Sequence, residues 1–132
     1  MDRASEDAVS EIASVEFLSS LLQRSGVSVY IAVEEGAVVG FCSLSETGGG
    51  AVELSGIVVL ESMTGRGIGS GLLRGAVDEA RAEGHNRMVV RTEAFNERAI
   101  EFYREKGFEV KGSRLEDVRG TRFELVELEL EP

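Results

Sequence analysis

An α+β fold, with a mixed, mostly antiparallel twisted sheet of about six strands and three main helices, is what this 132-residue chain predicts. Three observations carry the expectation. Branched apolar runs alternate with period two and are joined by Gly-containing turns, the mark of hairpins. Three other stretches repeat apolar residues at helical spacing. One of these stretches lies between strand-like runs over residues 51 to 93, and a strand-helix-strand unit needs a parallel crossover. Antiparallel hairpins and one parallel pair together make the sheet mixed.

The elements follow in order. Residues 5 to 24 read as a helix: Ser5 caps it, Glu6 and Asp7 suit its first turn, and Ile12, Val15, Leu18, Leu21 and Leu22 recur on one face. Gly26 ends it. Strands over 27 to 33 and 38 to 45 are joined by a turn at Glu34-Glu35-Gly36, and Thr47-Gly48-Gly49-Gly50 turns the chain into a strand over 51 to 60. A helix over 67 to 83 follows, with Ile68, Leu72, Leu73, Ala76 and Ala80 inward and Gly84 after it. Then come a strand over 87 to 93, a helix over 96 to 106, and closing strands over 108 to 112 and 121 to 130. Residues 1 to 132 are expected to form a single domain, since this length leaves no room for a second core.

The densest signal is Thr64-Gly65-Arg66-Gly67-Ile68-Gly69-Ser70-Gly71-Leu72-Leu73, a glycine-rich turn between a strand and a helix start. Gly65, Gly67 and Gly69 allow the backbone angles and close approach that let several N–H groups converge on one anion, and the helix dipole adds to them. This suits a nucleotide or coenzyme pyrophosphate, or else simply a turn capping a buried helix. Two familiar loops fail on spacing. A dinucleotide fingerprint needs a third glycine at residue 70, 72 or 74, where Ser70, Leu72 and Arg74 stand. A Walker loop needs Gly-Lys, and the lysines are Lys106 and Lys111.

Further on runs Asn96-Glu97-Arg98-Ala99-Ile100-Glu101-Phe102-Tyr103-Arg104-Glu105-Lys106-Gly107-Phe108. Taken with the glycine turn, it resembles the GNAT superfamily of acyl-CoA-dependent N-acyltransferases. The family's pyrophosphate loop, Arg/Gln-x-x-Gly-x-Gly/Ala, is matched by Gly67 and Gly69; its second signature, Asn-x-x-Ala-x-x-Phe-Tyr-x-x-x-Gly-Phe, is matched at every fixed position. The loop's opening Arg or Gln is Thr64 here, a departure that implies weaker coenzyme binding. A first strand before the opening helix is not obvious either, which leaves that edge vestigial, bare, or covered by a second subunit. A homodimer is one consequence.

The resemblance implies acetyl-CoA as cosubstrate, a primary amine acceptor (a small molecule, a protein N-terminus or a lysine), and a sheet splayed so that the coenzyme enters the gap. The pantetheine arm is expected to lie as a pseudo-strand along the backbone of Ile57, Val58 and Val59. The pyrophosphate is expected on Gly65, Arg66, Gly67, Ile68, Gly69 and Ser70, with Arg66 either a charge partner or merely exposed. Asn96 matches a coenzyme-binding position and is equally a good N-cap. Tyr103 stands where the family places the acid that protonates the thiolate, and is equally a core residue.

Acyl transfer also needs a base. Glu53 is the candidate: alternation places it with Ser55, Ile57 and Val59 on an otherwise apolar strand, eleven residues before Thr64, the offset of the base in the histone-acetyltransferase branch. The alternative is a solvent-facing rim glutamate. Glu93 competes. The branch that acetylates ribosomal-protein N-termini has a glutamate five residues before the motif Asn, where this chain has Arg91, and Glu93 either substitutes for it or pairs with Arg91.

Composition narrows the field. A formal charge of −10 argues against a nucleic-acid partner and either suits a basic acceptor or simply confers solubility. No apolar run reaches the roughly 20 residues of a membrane span, and Met-Asp-Arg-Ala-Ser-Glu-Asp lacks signal-peptide regions, so a cytoplasmic protein without membrane contact is expected. Cys42 reads as core packing. With one cysteine and one histidine, His85, no metal-ligand cluster is expected, and His85 receives no role. A catalytically inactive CoA-binding or interaction module is the alternative to the acetyltransferase.

Overall fold

The computed structural model describes residues 2–4 and 26–132, so the helix expected over residues 5 to 24 lies outside the described residues. The described elements are β1 (Asp2–Ala4), β2 (Val27–Glu34), β3 (Ala37–Gly48), β4 (Ala51–Leu54), β5 (Val58–Leu60), a single 3-10 turn (Glu61–Met63), α1 (Ile68–Ala82), β6 (Arg87–Glu93), α2 (Glu97–Glu105), β7 (Glu109–Val118) and β8 (Thr121–Leu130). All eight strands join one sheet in the order β1-β5-β3-β4-β6-β8-β7, with β2 on the other edge of β3. β4 pairs with β6 in parallel, as the crossover through α1 requires, and the hairpins pair antiparallel. The class is the expected α+β.

Among the described residues, two additions raise the strand count from six to eight. The expected strand over 51 to 60 divides into β4 and β5 because Ser55 interrupts the ladder: its Oγ accepts from the Ser43 N–H at 2.9 Å and donates to the Gly56 carbonyl at 3.1 Å. A side chain thereby takes a backbone group's place in the pairing. The second addition is β1. Asp2, Arg3 and Ala4 pair in parallel with Val58, Val59 and Leu60, a three-residue strand too short to leave a periodic signature.

The last two strands correct another expectation. Residues 113 to 120 are not a long loop, because β7 and β8 pair along their whole length from Glu109↔Glu129 to Val118↔Thr121. Only Arg119 and Gly120 turn the chain, with φ of 51° and 81°, the paired positive angles of a type I′ hairpin.

Both described helices pack on one face of the sheet. Leu72, Leu73, Ala76 and Ala80 of α1 and Ala99 and Tyr103 of α2 meet Cys42, Leu44, Val52, Leu54, Met88, Val90 and Leu128. Burial pushes the Cys42 thiol up to about 12, so it stays protonated and inert as the sequence suggested. Tyr30 of β2 donates a hydrogen bond to Glu79 of α1, fastening the helix to the sheet; burial, then that bond, raises its pKa. Among the described residues no helix is long and apolar enough to cross a membrane.

Candidate active site

The glycine turn lies where α1 begins. Gly65 and Gly67 have φ of 82° and 79°, the left-handed region closed to most side chains. Gly67 is the N-cap of α1, no side chain caps it, and no acidic residue stands in the first turn. The first helical bond runs from the Gly71 N–H to the Gly67 carbonyl at 3.0 Å, so the N–H groups of Ile68, Gly69 and Ser70 precede any intrahelical acceptor. A Cβ placed on Gly65 or Gly67 would meet nothing within 4 Å, so these backbones face open space. Donors, dipole and room coincide, and the residues fit an anionic group such as a pyrophosphate.

Thr64 has a visible local task. Its Oγ1 donates to the Glu61 carbonyl at 2.9 Å and closes the 3-10 turn between β5 and the glycines. Arg66 is exposed and stands 3.6 Å from Glu34, an ion pair loose enough to be exchanged for a ligand.

Glu53 lies on β4 on the face away from α1 and α2, half-buried. Arg91 Nη1 meets its Oε2 at 2.9 Å, and Arg91 Nη2 meets Glu127 Oε1 at 2.9 Å. Adjacent strands assemble this cluster: Glu53 pairs with Val89, two residues before Arg91, and Arg91 pairs directly with Glu127. Hydrogen bonding to Glu53, above all, raises the Arg91 pKa and outweighs the opposing effect of burial. Arg91 therefore engages Glu53 and Glu127 and makes no ion pair with Glu93, the partner weighed from the sequence. Glu127 was missed because the signal is two-dimensional: it requires knowing that β8 lies beside β6. Beside the cluster, Arg91, Ser113, Arg114, Leu125 and Glu127 line a cavity of about 160 Å³.

Tyr103 is 2 % exposed, its ring edge-on to Phe102 at 5.3 Å and to Phe108 at 5.4 Å. Asn96 caps α2, its Oδ1 accepting from the Ala99 N–H at 3.2 Å. The structural readings of both residues are thus realised, and neither displaces the chemical one.

The β4–β6 ladder ends where the coenzyme arm was expected. β4 and β6 pair only from Ala51↔Arg87 to Leu54↔Val90; beyond that β6 continues to Glu93 while β5 pairs with β3 on one edge and with β1 on the other. Ile57 and Val59 bury their side chains at 0 % and 1 % exposure, so this edge of β5 offers backbone groups for pairing. β1 holds that edge of Val58 and Val59 in this structure.

A mixed sheet splayed beside a strand, with a glycine turn opening a helix at the same end, defines an acyl-coenzyme A transferase architecture. The chain belongs to the acetyltransferase (GNAT) family, whose model matches residues 2–108. The L-methionine sulfoximine/L-methionine sulfone acetyltransferase of Pseudomonas paraeruginosa is 34 % identical over 95 residues, which cover 67 % of this chain and 55 % of that protein. The chain thus spans about half the length of the curated relatives it matches. Among solved structures, the ribosomal-protein-alanine N-acetyltransferase of Brucella melitensis superposes with a TM-score of 0.79 at 27 % identity, covering 96 % of this chain and 88 % of that one. A GNAT family acetyltransferase of Elizabethkingia anophelis with acetyl-CoA bound gives 0.73 at 20 % identity, covering 90 % and 84 %, a likeness of fold.

Proposed function

We propose that the protein transfers the acetyl group of acetyl-CoA directly to a primary amine. The observation that carries the reading is the uncapped start of α1 behind Gly65 and Gly67, beside the backbone edge of Val58 and Val59. The turn from Gly65 to Ser70 receives the pyrophosphate, and the pantetheine arm takes the place of Asp2–Ala4 along β5, which exchanges one short parallel pairing for another. The amine nitrogen attacks the thioester carbonyl, the C–S bond breaks, and the thiolate takes a proton from Tyr103. Glu53 draws the proton from the ammonium through water, with Arg91 fixing the carboxylate in place. Asn96 contributes its amide to the coenzyme while its Oδ1 caps α2.

The acceptor class starts from amino acids, because a relative one third identical is named for acetylating L-methionine sulfoximine and sulfone. The chain acts as one domain in the cytoplasm in this reading. A homodimer would form at the outer edge of β2, which has no strand partner among the described residues and carries exposed Ile31 and Val33.

Calorimetric titration with acetyl-CoA, with NADH and ATP as controls, followed by thiol release across amino acids, polyamines and peptide N-termini, tests the reading. Selective binding with thiol release supports it. Binding without release from any amine would favour an inactive coenzyme-binding module, a reading that β1 on the pantetheine edge keeps in view. Absence of acetyl-CoA binding would sink both.

A further inference from the structure

The far end of α1 gathers a second set of charged groups. His85, in the turn before β6, has an Nε2 that is buried and without a hydrogen-bond partner. That nitrogen lies 3.4 Å from Glu83 Oε2 and 3.7 Å from Glu46 Oε1, too far for good hydrogen bonds, and the three ligand atoms all lie within 4.8 Å of one another. Ligands bound to one tetrahedral ion at about 2.0–2.1 Å stand roughly 3.3 Å apart, so both distances from Nε2 are close to those around a shared centre.

The surroundings agree with a cation. Glu83 is the C-cap of α1, where the helix dipole is negative. A cavity of about 160 Å³, lined by Gly26, Ser28, Glu46, Glu79, Glu83 and His85, adjoins the three groups and has room for an ion and water. The ligands come from three places in the chain: the end of β3, the end of α1 and the turn into β6. The turn is itself held in register by the His85 N–H to the Ala80 carbonyl at 2.9 Å and the Asn86 N–H to the Gly50 carbonyl at 2.9 Å.

We propose that His85, Glu46 and Glu83 form a site for a divalent transition-metal ion, with zinc as its reference occupant, that pins the C-terminal end of α1 to the end of β3. Imidazole nitrogen with two carboxylate oxygens suits Zn²⁺, Co²⁺ or Mn²⁺, and water from the cavity completes the coordination. The role is structural. α1 has 15 residues, so at about 1.5 Å per residue the site lies some 22 Å from the glycine turn at the other end.

The test uses the full chain after chelation and dialysis. Zn²⁺ is titrated calorimetrically, Co²⁺ is followed by its visible ligand-field bands, and Tm is measured with and without Zn²⁺. The expected result is saturable binding of a single equivalent, tetrahedral-type Co²⁺ bands and a rise in Tm. His85→Ala should weaken Zn²⁺ about tenfold or more and cancel the rise. Glu46→Gln, at an exposed side chain, should do so in part even if the first variant folds poorly. Acetyl-CoA titration should give the same affinity with and without Zn²⁺, so this site and the acetyl-transfer reading succeed or fail separately. No saturable uptake, no Co²⁺ bands, or equal affinity in His85→Ala, the mark of ions held only by the acidic surface, would each overturn the proposal.

Discussion

The two described helices of this protein start in opposite ways. α2 begins with Asn96, whose side chain accepts the Ala99 N–H, and carries Glu97 in its first turn, so an orphan donor and the dipole are both answered from within the chain. α1 begins with Gly67 in a left-handed conformation, with no side-chain cap and no acid in the first turn, although the chain has 24 Asp and Glu to draw on. Local stability and ligand binding compete for the same N–H groups. A start that the chain satisfies itself is architecture; a start left open in an otherwise acidic protein is a place for an anion from outside.

Substitutions can break this contrast in turn. Gly67→Val should have the largest effect, abolishing acetyl-CoA binding: a β-branched side chain at φ 79° is strained and projects where the ligand would lie. Circular dichroism should show the fold retained, and calorimetry that still detects native affinity would remove the turn from the site. Gly67→Ala should weaken binding less.

Tyr103→Phe comes next. Turnover should fall about 100-fold, the lower range for losing a general acid, while acetyl-CoA affinity stays near that of the parent. Because the ring is buried against Phe102 and Phe108, Phe keeps the packing, and unaltered turnover would leave Tyr103 a core residue alone.

Asn96→Ala sharpens the comparison from the α2 side. Loss of the cap should cost about 1 kcal/mol in denaturant unfolding. Its acetyl-CoA affinity should fall less than that of Gly67→Val; an equal fall would mean that the Asn96 amide contributes as much to coenzyme binding as the glycine turn. The smallest effect is expected for Arg66→Ala, a few-fold weaker acetyl-CoA binding that shrinks as salt rises, since this guanidinium is exposed and screened. A salt-independent loss would contradict a surface charge partner.

Much of this was legible in one dimension. The helices expected over 67 to 83 and 96 to 106 are observed as Ile68–Ala82 and Glu97–Glu105, because period, cap and stop are local signals. The glycine turn and the Asn96 motif are contiguous, and contiguity is what a sequence displays. The ladder break at Ser55 was hidden because it depends on a hydrogen bond to Ser43, a residue on the neighbouring strand.

Composition, periodicity and the two motifs therefore determined the α+β class, the family and the position of the glycine turn that opens α1. Tertiary structure alone decided which charges meet. Glu53, Arg91 and Glu127 come from three strands, and Glu46, Glu83 and His85 from two elements and a turn, so each cluster exists only once strand order and register are set. Chain spacing governs local periodicity, whereas side-chain ion pairs and ligand sets act over about 2 to 4 Å between residues of any separation, and that distance is written only in the folded chain.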